Sequence, residues 1–185
     1  MVLEIPNPTY ELYKLALSRE PGVLCFARHK IAELPEEQYD ELILSVLKKD
    51  GNMIKYVQKN EEKEIFCYEA LKNNPLALEF IYDQTEEMCS YAYELNPTSL
   101  KFATNASDEL YLKAVYDNYV NIKYIKDKRI EIYIMAILID PRCVTYISDL
   151  DKQMECLSLI SEIEDLELTC ELELTCELEL TRDLE

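Results

Sequence analysis

Apolar residues return along this chain with a period close to 22. The small residues Ala70, Ala92, Ala114 and Ala136 are three steps of 22 apart, and the same frame reaches back to Val46 and Ala16 and forward to Ser158. Four positions before each stand Leu12, Leu42, Phe66, Met88, Leu110, Ile132 and Met154. One position after stand Leu17, Leu47, Leu71, Tyr93, Val115, Ile137 and Leu159. Positions −4, 0 and +1 share one face of a helix. A further apolar set follows at +8 (Leu24, Ile54, Leu78, Leu100, Ile122, Val144, Leu166) and an aromatic set at +10 (Phe26, Tyr56, Phe80, Phe102, Tyr124, Tyr146). A period of this size is the signature of stacked repeats.

Polar residues punctuate the pattern at +4: Glu20, Asp50, Asn74, Asn96, Asn118, Asp140 and Glu162. Pro21, Gly51, Pro75, Pro97 or Pro141 follows in five of the repeats. A residue before proline is pushed out of the α region, so the first helix is predicted to end there. The same acid or amide can cap a second helix that has proline at its first position. Each repeat is thus predicted as a helix of about ten residues, a tight corner, and a second helix of one or two turns. The second helix carries +8, +10 and +11 into the core, as in Leu100, Phe102 and Ala103. Thr9, Thr85, Ser107 and Asp151 are the predicted caps of first helices. Asn118 is followed by Tyr119 instead of proline, which predicts a looser corner there.

Helices this short are marginal alone and persist by stacking on their neighbours. The predicted fold is all-α: an α-solenoid of about seven short helix-turn-helix repeats over residues 9–165. A lead-in of residues 1–8 precedes it, and a low-complexity acidic tail, 166–185, follows. An insert, Ile31–Glu37, lengthens the first spacing and is predicted to extend the next helix.

The tail writes Leu-Glu-Leu-Thr-Cys-Glu twice from Leu166 and once more in altered form from Leu178. Strict alternation is the pattern of a half-buried strand, whereas Leu and Glu individually favour helix. A lone strand lacks a partner. The tail is expected to be poorly ordered, or a strand that pairs with an edge supplied from elsewhere, including a second copy.

Composition narrows the function classes. The net charge is −18, and residues 162–185 carry −9 of it with ten acids and one arginine. Without a basic stripe, neither nucleic acid nor an anionic membrane surface is an expected partner. No apolar run approaches the 18 or so residues of a membrane span, and the N-terminus lacks a signal-peptide pattern. Seven cysteines and one histidine form no CxxC or zinc-like spacing. Cys67 and Cys89 occupy one column of adjacent repeats and are expected to be buried thiols in a reducing compartment. The two glycines rule out a glycine-rich phosphate loop, and no hydrolase, metalloprotease or dinucleotide motif occurs. His29, between Arg28 and Lys30, has no nucleophile in a recognisable motif and reads as a surface histidine. The expectation is a protein that is not an enzyme and carries no cofactor or metal.

Two sets of residues are candidate partner contacts. Glu11, Glu41, Glu87, Glu109 and Glu131 fall in one column near helix starts, beside Asp40, Glu64, Glu86 and Asp108. They suit either a basic protein partner or the positive end of the helix dipole. Among fourteen tyrosines, Tyr56, Tyr93, Tyr124 and Tyr146 fall in predicted core columns. Tyr10, Tyr68, Tyr116 and Tyr119 remain as exposed contacts. Leu34–Leu47 is similar to the opening of an F-box, though the repeat frame already accounts for Leu42, Val46 and Leu47.

The run Ala70-Leu71-Lys72-Asn73-Asn74-Pro75-Leu76-Ala77-Leu78-Glu79-Phe80-Ile81, followed by Gln84-Thr85-Glu86-Glu87-Met88-Cys89, resembles a short helical repeat of unknown function. That repeat is expanded in mimivirus-like giant viruses of amoebae. The resemblance is clear over about 60–105, weaker over 9–59 and 106–165, and absent from the tail. It implies an α-solenoid and a viral protein of the host cytoplasm or the virion, and it brings no activity, cofactor or site residues. The expected function is a protein-interaction scaffold; the alternative is a self-associating component of a viral particle.

Overall fold

The computed structural model describes residues 8–57, 63–125 and 130–162. Most of the lead-in, the tail 166–185 and with it Cys170 and Cys176 lie outside these residues. Every regular element among them is helical, so the all-α repeat architecture holds. The first helices are α1 (Tyr10–Arg19), α3 (Glu36–Leu47), α4 (Glu64–Asn73), α5 (Glu86–Leu95), α6 (Asp108–Asp117) and α7 (Ile130–Ile139), and a last helix, α8, spans 150–162. The second helix of the first repeat is a short α-helix, α2 (Leu24–Ile31). In the other five it is a six-residue 3₁₀ helix: Gly51–Tyr56, Pro75–Phe80, Pro97–Phe102, Tyr119–Tyr124 and Pro141–Tyr146. The insert is absorbed on both sides, by α2 running on to Ile31 and by α3 beginning at Glu36.

The corners are closed twice. The side chains of Glu20, Asp50, Asn74, Asn96, Asn118 and Asp140 each accept from the backbone N–H two residues on, at 3.0–3.3 Å. Their own N–H groups donate to the carbonyls of Ala16, Val46, Ala70, Ala92, Ala114 and Ala136 at 2.8–3.0 Å. The backbone at each corner is extended, with φ between −139° and −158°. Asn118 makes the same two bonds, both 3.0 Å, so the corner without proline is no looser than the rest. The side-chain acceptor sets the bend, and proline is an accessory. Asn118→Ala is therefore expected to lower stability by about 1 kcal/mol. Asn118→Asp, which keeps the acceptor, should stay within a few tenths; urea denaturation measures both.

The caps of the first helices divide. Thr85 Oγ1 accepts from Met88 N at 3.2 Å, as expected. Thr9 makes no side-chain cap; its carbonyl takes the Leu12 and Tyr13 N–H groups. Asp151 lies inside the first turn of α8, and Asp149 supplies the cap by accepting from Lys152 N at 3.2 Å.

The chain forms two compact blocks, Met1–Ser107 and Asp108–Glu185. In the first, α1, α3, α4 and α5 pack in series, and the 3₁₀ helices pack in a parallel series beside them. In the second, α6 packs on α7, and their two 3₁₀ helices pack on each other. From the first to the sixth repeat, positions 0 and +1 are buried throughout. Position −3 is buried as well, placing Tyr13, Tyr111 and Tyr133 in the core with Ile43, Cys67 and Cys89. Cys67, Cys89 and the other described cysteines are not in disulfides.

Two expectations about the core fail. The +10 aromatics are not core residues: Phe26 is 69% exposed, Tyr146 is 40% exposed, and Tyr56, Phe80, Phe102 and Tyr124 are half-buried. In a 3₁₀ helix residues three apart eclipse, so +8 and +11 share the inward side and +10 falls a third of a turn away. The frame also slips in the last repeat. Cys156 and Ile160 are buried in α8, while Met154 and Ser158, the expected inward positions, face outward.

Among the described residues, one buried side-chain oxygen has no hydrogen-bond partner. The Ser99 hydroxyl sits at +7, fully buried and without a hydrogen bond, where the preceding repeat has Ala77. Ser99→Ala is expected to raise stability by about 1 kcal/mol, because a buried unsatisfied hydroxyl costs on that order. Thermal and urea unfolding would show it, and a loss instead of a gain would mean that the hydroxyl is satisfied.

Candidate interaction surface

The 3₁₀ helices of the first block bring the misassigned aromatics together. Each helix buries +8 and +11 against its first helix and turns +9 and +10 outward. Position +9 is Lys55, Glu79 and Lys101 in turn and +10 is Tyr56, Phe80 and Phe102, so a charged side chain, twice an ammonium and once a carboxylate, stands beside each ring. Lys55 Nζ lies 5.0 Å from the Tyr56 ring centre and 5.6 Å from that of Phe80, spanning two consecutive repeats. Lys101 Nζ lies 4.5 Å from the Phe102 ring centre. Cation–π contact holds these long side chains over the aromatic faces.

Between successive 3₁₀ helices runs an open groove of about 290 Å³, with Asn52, Lys55, Leu76, Phe80 and Phe102 among its lining residues. Asn74 Nδ2 donates to Asn52 Oδ1 at 2.8 Å there, and the Asn74 carbonyl oxygen of the side chain is already used by Leu76 N. The Asn74 amide is spent on structure, leaving the rings, the Lys55 ammonium and the Glu79 carboxylate to meet a ligand. In the second block Lys123 stands over Tyr124 at 4.9 Å in the same +9, +10 relation. A pocket of about 380 Å³ lies beside it, where Tyr133 donates to the Ile125 carbonyl at 3.0 Å and Lys152 sits 4.3 Å from the Tyr133 ring centre.

The acidic column is exposed at all five positions, but its members differ. Glu11, Glu87, Glu109 and Glu131 stand in the first turns of their helices, where acids complement the dipole. Glu41 does not: the lengthened α3 places it mid-helix. There Lys14 Nζ and the Tyr10 hydroxyl both donate to its carboxylate at 2.5 Å, tying α1 to α3. In the first block Ile65 replaces an acid at this position and interrupts the column.

These bonds move protons. Lys14 first, and then Tyr10, hold the Glu41 carboxyl below the usual carboxylate range, while the bond to Glu41 pushes the Tyr10 phenol up. A depressed carboxyl contributes its tie above the unfolded value and loses it as pH falls through the folded value. The α1–α3 tie should therefore hold through neutral pH and weaken on acidification as Glu41 is protonated. It should weaken again at alkaline pH as Lys14 and Tyr10, both raised by Glu41, lose their protons. An NMR titration should find Glu41 below free glutamate, and Lys14→Met should move it upward; no movement would mean that the pair is not formed.

The candidate tyrosines scatter. Tyr10 is engaged by Glu41. Tyr68 is half-buried with its ring edge-on to Tyr91, the centres 5.5 Å apart, and its phenol is raised by burial and then by Glu64. Glu87 is lowered by its own backbone N–H and then by Thr85. Tyr116 is 79% exposed. Tyr119 packs edge-on to Tyr146 at 5.7 Å under the Arg142 guanidinium, 4.2 Å from its ring centre. Within a block they form no common site with the acidic column beyond the Tyr10–Glu41 pair and the Tyr68–Glu87 neighbourhood. The residues overlooked in the sequence are Phe80, Phe102, Lys55, Glu79 and Lys101; the signal was a charged residue at +9 beside each aromatic.

His29, exposed in the last turn of α2, accepts from Arg28 Nε at 3.3 Å. Cys143 is buried, and burial followed by the Asp140 charge pushes its thiol up to about 11, far from a thiolate at neutral pH. No three of His, Cys, Asp and Glu cluster as metal ligands among the described residues. None of the described helices is long and apolar enough to cross a membrane. Compared with family models, curated proteins and solved structures, the chain matches none.

Proposed function

We propose that this chain is a non-enzymatic protein-interaction scaffold that takes an extended segment of a partner protein along its 3₁₀ helices. The observation that carries this reading is the half-exposed aromatic at the same place in successive repeats, Tyr56, Phe80 and Phe102, each beside an exposed charged residue, Lys55, Glu79 and Lys101. A groove of about 290 Å³ holds two or three side chains, too few for a folded domain and suited to an extended strand of residues. Aromatic-lined grooves favour proline and aliphatic side chains in extended peptides. Lys55 and Lys101 would pair with carboxylates carried by the same segment, and Glu79 between them with a basic side chain. The resemblance to a giant-virus repeat supports placing the protein in an infected host or its virions.

The test is capture from the native cell by the full chain and by the Phe80→Ser, Phe102→Ser double variant, with circular dichroism as a control of folding. A partner held by the first and lost by the second, whose cross-links fall on residues 52–102, is the expected result. A partner retained equally by the variant would remove the 3₁₀ face from the proposal. Recovery of the chain alone would favour the self-associating particle component.

A further inference from the structure

The 3₁₀ face of the first block carries a spacing as well as a chemistry. Three consecutive repeats present a half-buried aromatic at +10, Tyr56, Phe80 and Phe102, and an exposed charge at +9, Lys55, Glu79 and Lys101. The charges alternate in sign along the series. Glu79 lines the groove of about 290 Å³ together with Lys55, Leu76, Phe80 and Phe102. The two ammonium groups rest against rings, which hold them in place without neutralising them. Among the described residues, none of the three charges is paired with an opposite one.

Consecutive 3₁₀ helices pack directly on one another, and packed helices stand roughly 8–10 Å apart. Lys55 Nζ, 5.0 Å from the Tyr56 ring centre and 5.6 Å from that of Phe80, spans one such step. The step selects among the backbone forms of an extended occupant. A β-strand returns to the same side after about 6.6 Å, and its third residue, at about 10 Å, points the opposite way. A polyproline II helix returns to the same side at every third residue, about 9.3 Å on. An α-helix, about 10–12 Å across, is too broad for the groove. Only the polyproline form keeps pace with the repeats.

We propose that the occupant of this face is a polyproline II segment of a partner protein in which every third residue is charged, in the order acid, base, acid. The acids meet Lys55 and Lys101, the base meets Glu79, and prolines between them lie against Tyr56, Phe80 and Phe102. This rests on the reading of the 3₁₀ face as a peptide site. The three edges of a polyproline II helix let charges and prolines use different sides of one segment. Its preformed backbone loses little freedom on docking into an aromatic-lined groove. The order acid, base, acid is the same in both directions, so the chain polarity of the bound segment does not alter it.

NMR titration of the full chain with three capped synthetic peptides tests this. Glu-Pro-Pro-Lys-Pro-Pro-Glu is expected to bind, with shifts confined to residues 52–102. The charge-inverted Lys-Pro-Pro-Glu-Pro-Pro-Lys and the closer-spaced Glu-Pro-Lys-Pro-Glu should bind about tenfold more weakly. The net charge of −18 on the chain works against this order, since it attracts the inverted peptide, which is net positive. The exposed substitution Glu79→Lys should shift the preference to Glu-Pro-Pro-Glu-Pro-Pro-Glu. Equal affinities, a preference for the inverted peptide, or no binding of any peptide would overturn the proposal. The peptide-site reading is judged separately by the capture experiment with Phe80→Ser and Phe102→Ser, which uses no designed sequence. A partner lost with those rings, beside indifference among the peptides, would keep the face and remove the three-residue rule.

Discussion

Phe66→Ala is expected to lower stability by about 3–5 kcal/mol, the usual cost of emptying a buried phenylalanine site. Phe66 lies on α4, fully buried in the −4 column of the first block. Its ring meets that of Tyr39 on α3 edge-on, with centres 6.2 Å apart, and Lys63 Nζ is 5.9 Å from its centre. Edge-on aromatic pairs add about 0.5–1.5 kcal/mol to the area they bury. Because each repeat touches only its neighbours, hydrogen exchange should accelerate most in α3 and α4. A loss below about 1 kcal/mol in urea would mean that the seam between these helices is not packed as described.

Gly51→Ala is expected to cost about 2–3 kcal/mol, in the range of overpacked sites. A Cβ at Gly51 would stand 2.3 Å from the Ala70 carbonyl oxygen and 3.2 Å from Asn74 N, both backbone atoms that cannot swing aside. The approach is fixed by Asn73, whose Oδ1 accepts from Gly51 N and whose Nδ2 donates to the Lys48 carbonyl, each at 2.8 Å. The sign makes the test sharp, since a glycine whose site has room typically gains about 0.4–1 kcal/mol on becoming alanine. Gly22 is the internal control. Its Cβ would meet only the Glu20 carboxylate tip, at 3.1 Å, and Gly22→Ala should be nearly neutral.

These two positions also show what the sequence discloses and what it withholds. Phe66 was legible because burial at −4, 0 and +1 follows from helical periodicity alone. The corner was legible because an acid or amide before proline has one structural use. Gly51 stood out only as a substitute for proline; that Ala70 presses on it depends on how far apart two helices settle. The +10 aromatics were misplaced because a six-residue segment does not reveal whether its step is that of an α- or a 3₁₀ helix. Tyr13, Tyr111 and Tyr133 were not read as core, since tyrosine suits a buried face and a wet one equally. The slip at Met154 and Ser158 arose where the spacing of small residues stopped guiding the frame. Of the candidate contacts, Glu41 and Tyr10 were named separately, and only the lengthened α3 brings them into one bond.

The self-contained corner has a bearing on how such a chain changes over generations. Each bend is closed by a side chain onto its own repeat and by an N–H onto that repeat's small residue, and only the corner at Gly51 takes a further brace from the next repeat, through Asn73. A duplicated stretch of 22 codons therefore arrives with its turn already encoded, and a deleted one takes its turn away with it. Neighbours on either side close up on surfaces like those they had before. The length of the series is then free to drift under copying errors, while substitutions at the outward +9 and +10 positions retune what each added step can hold.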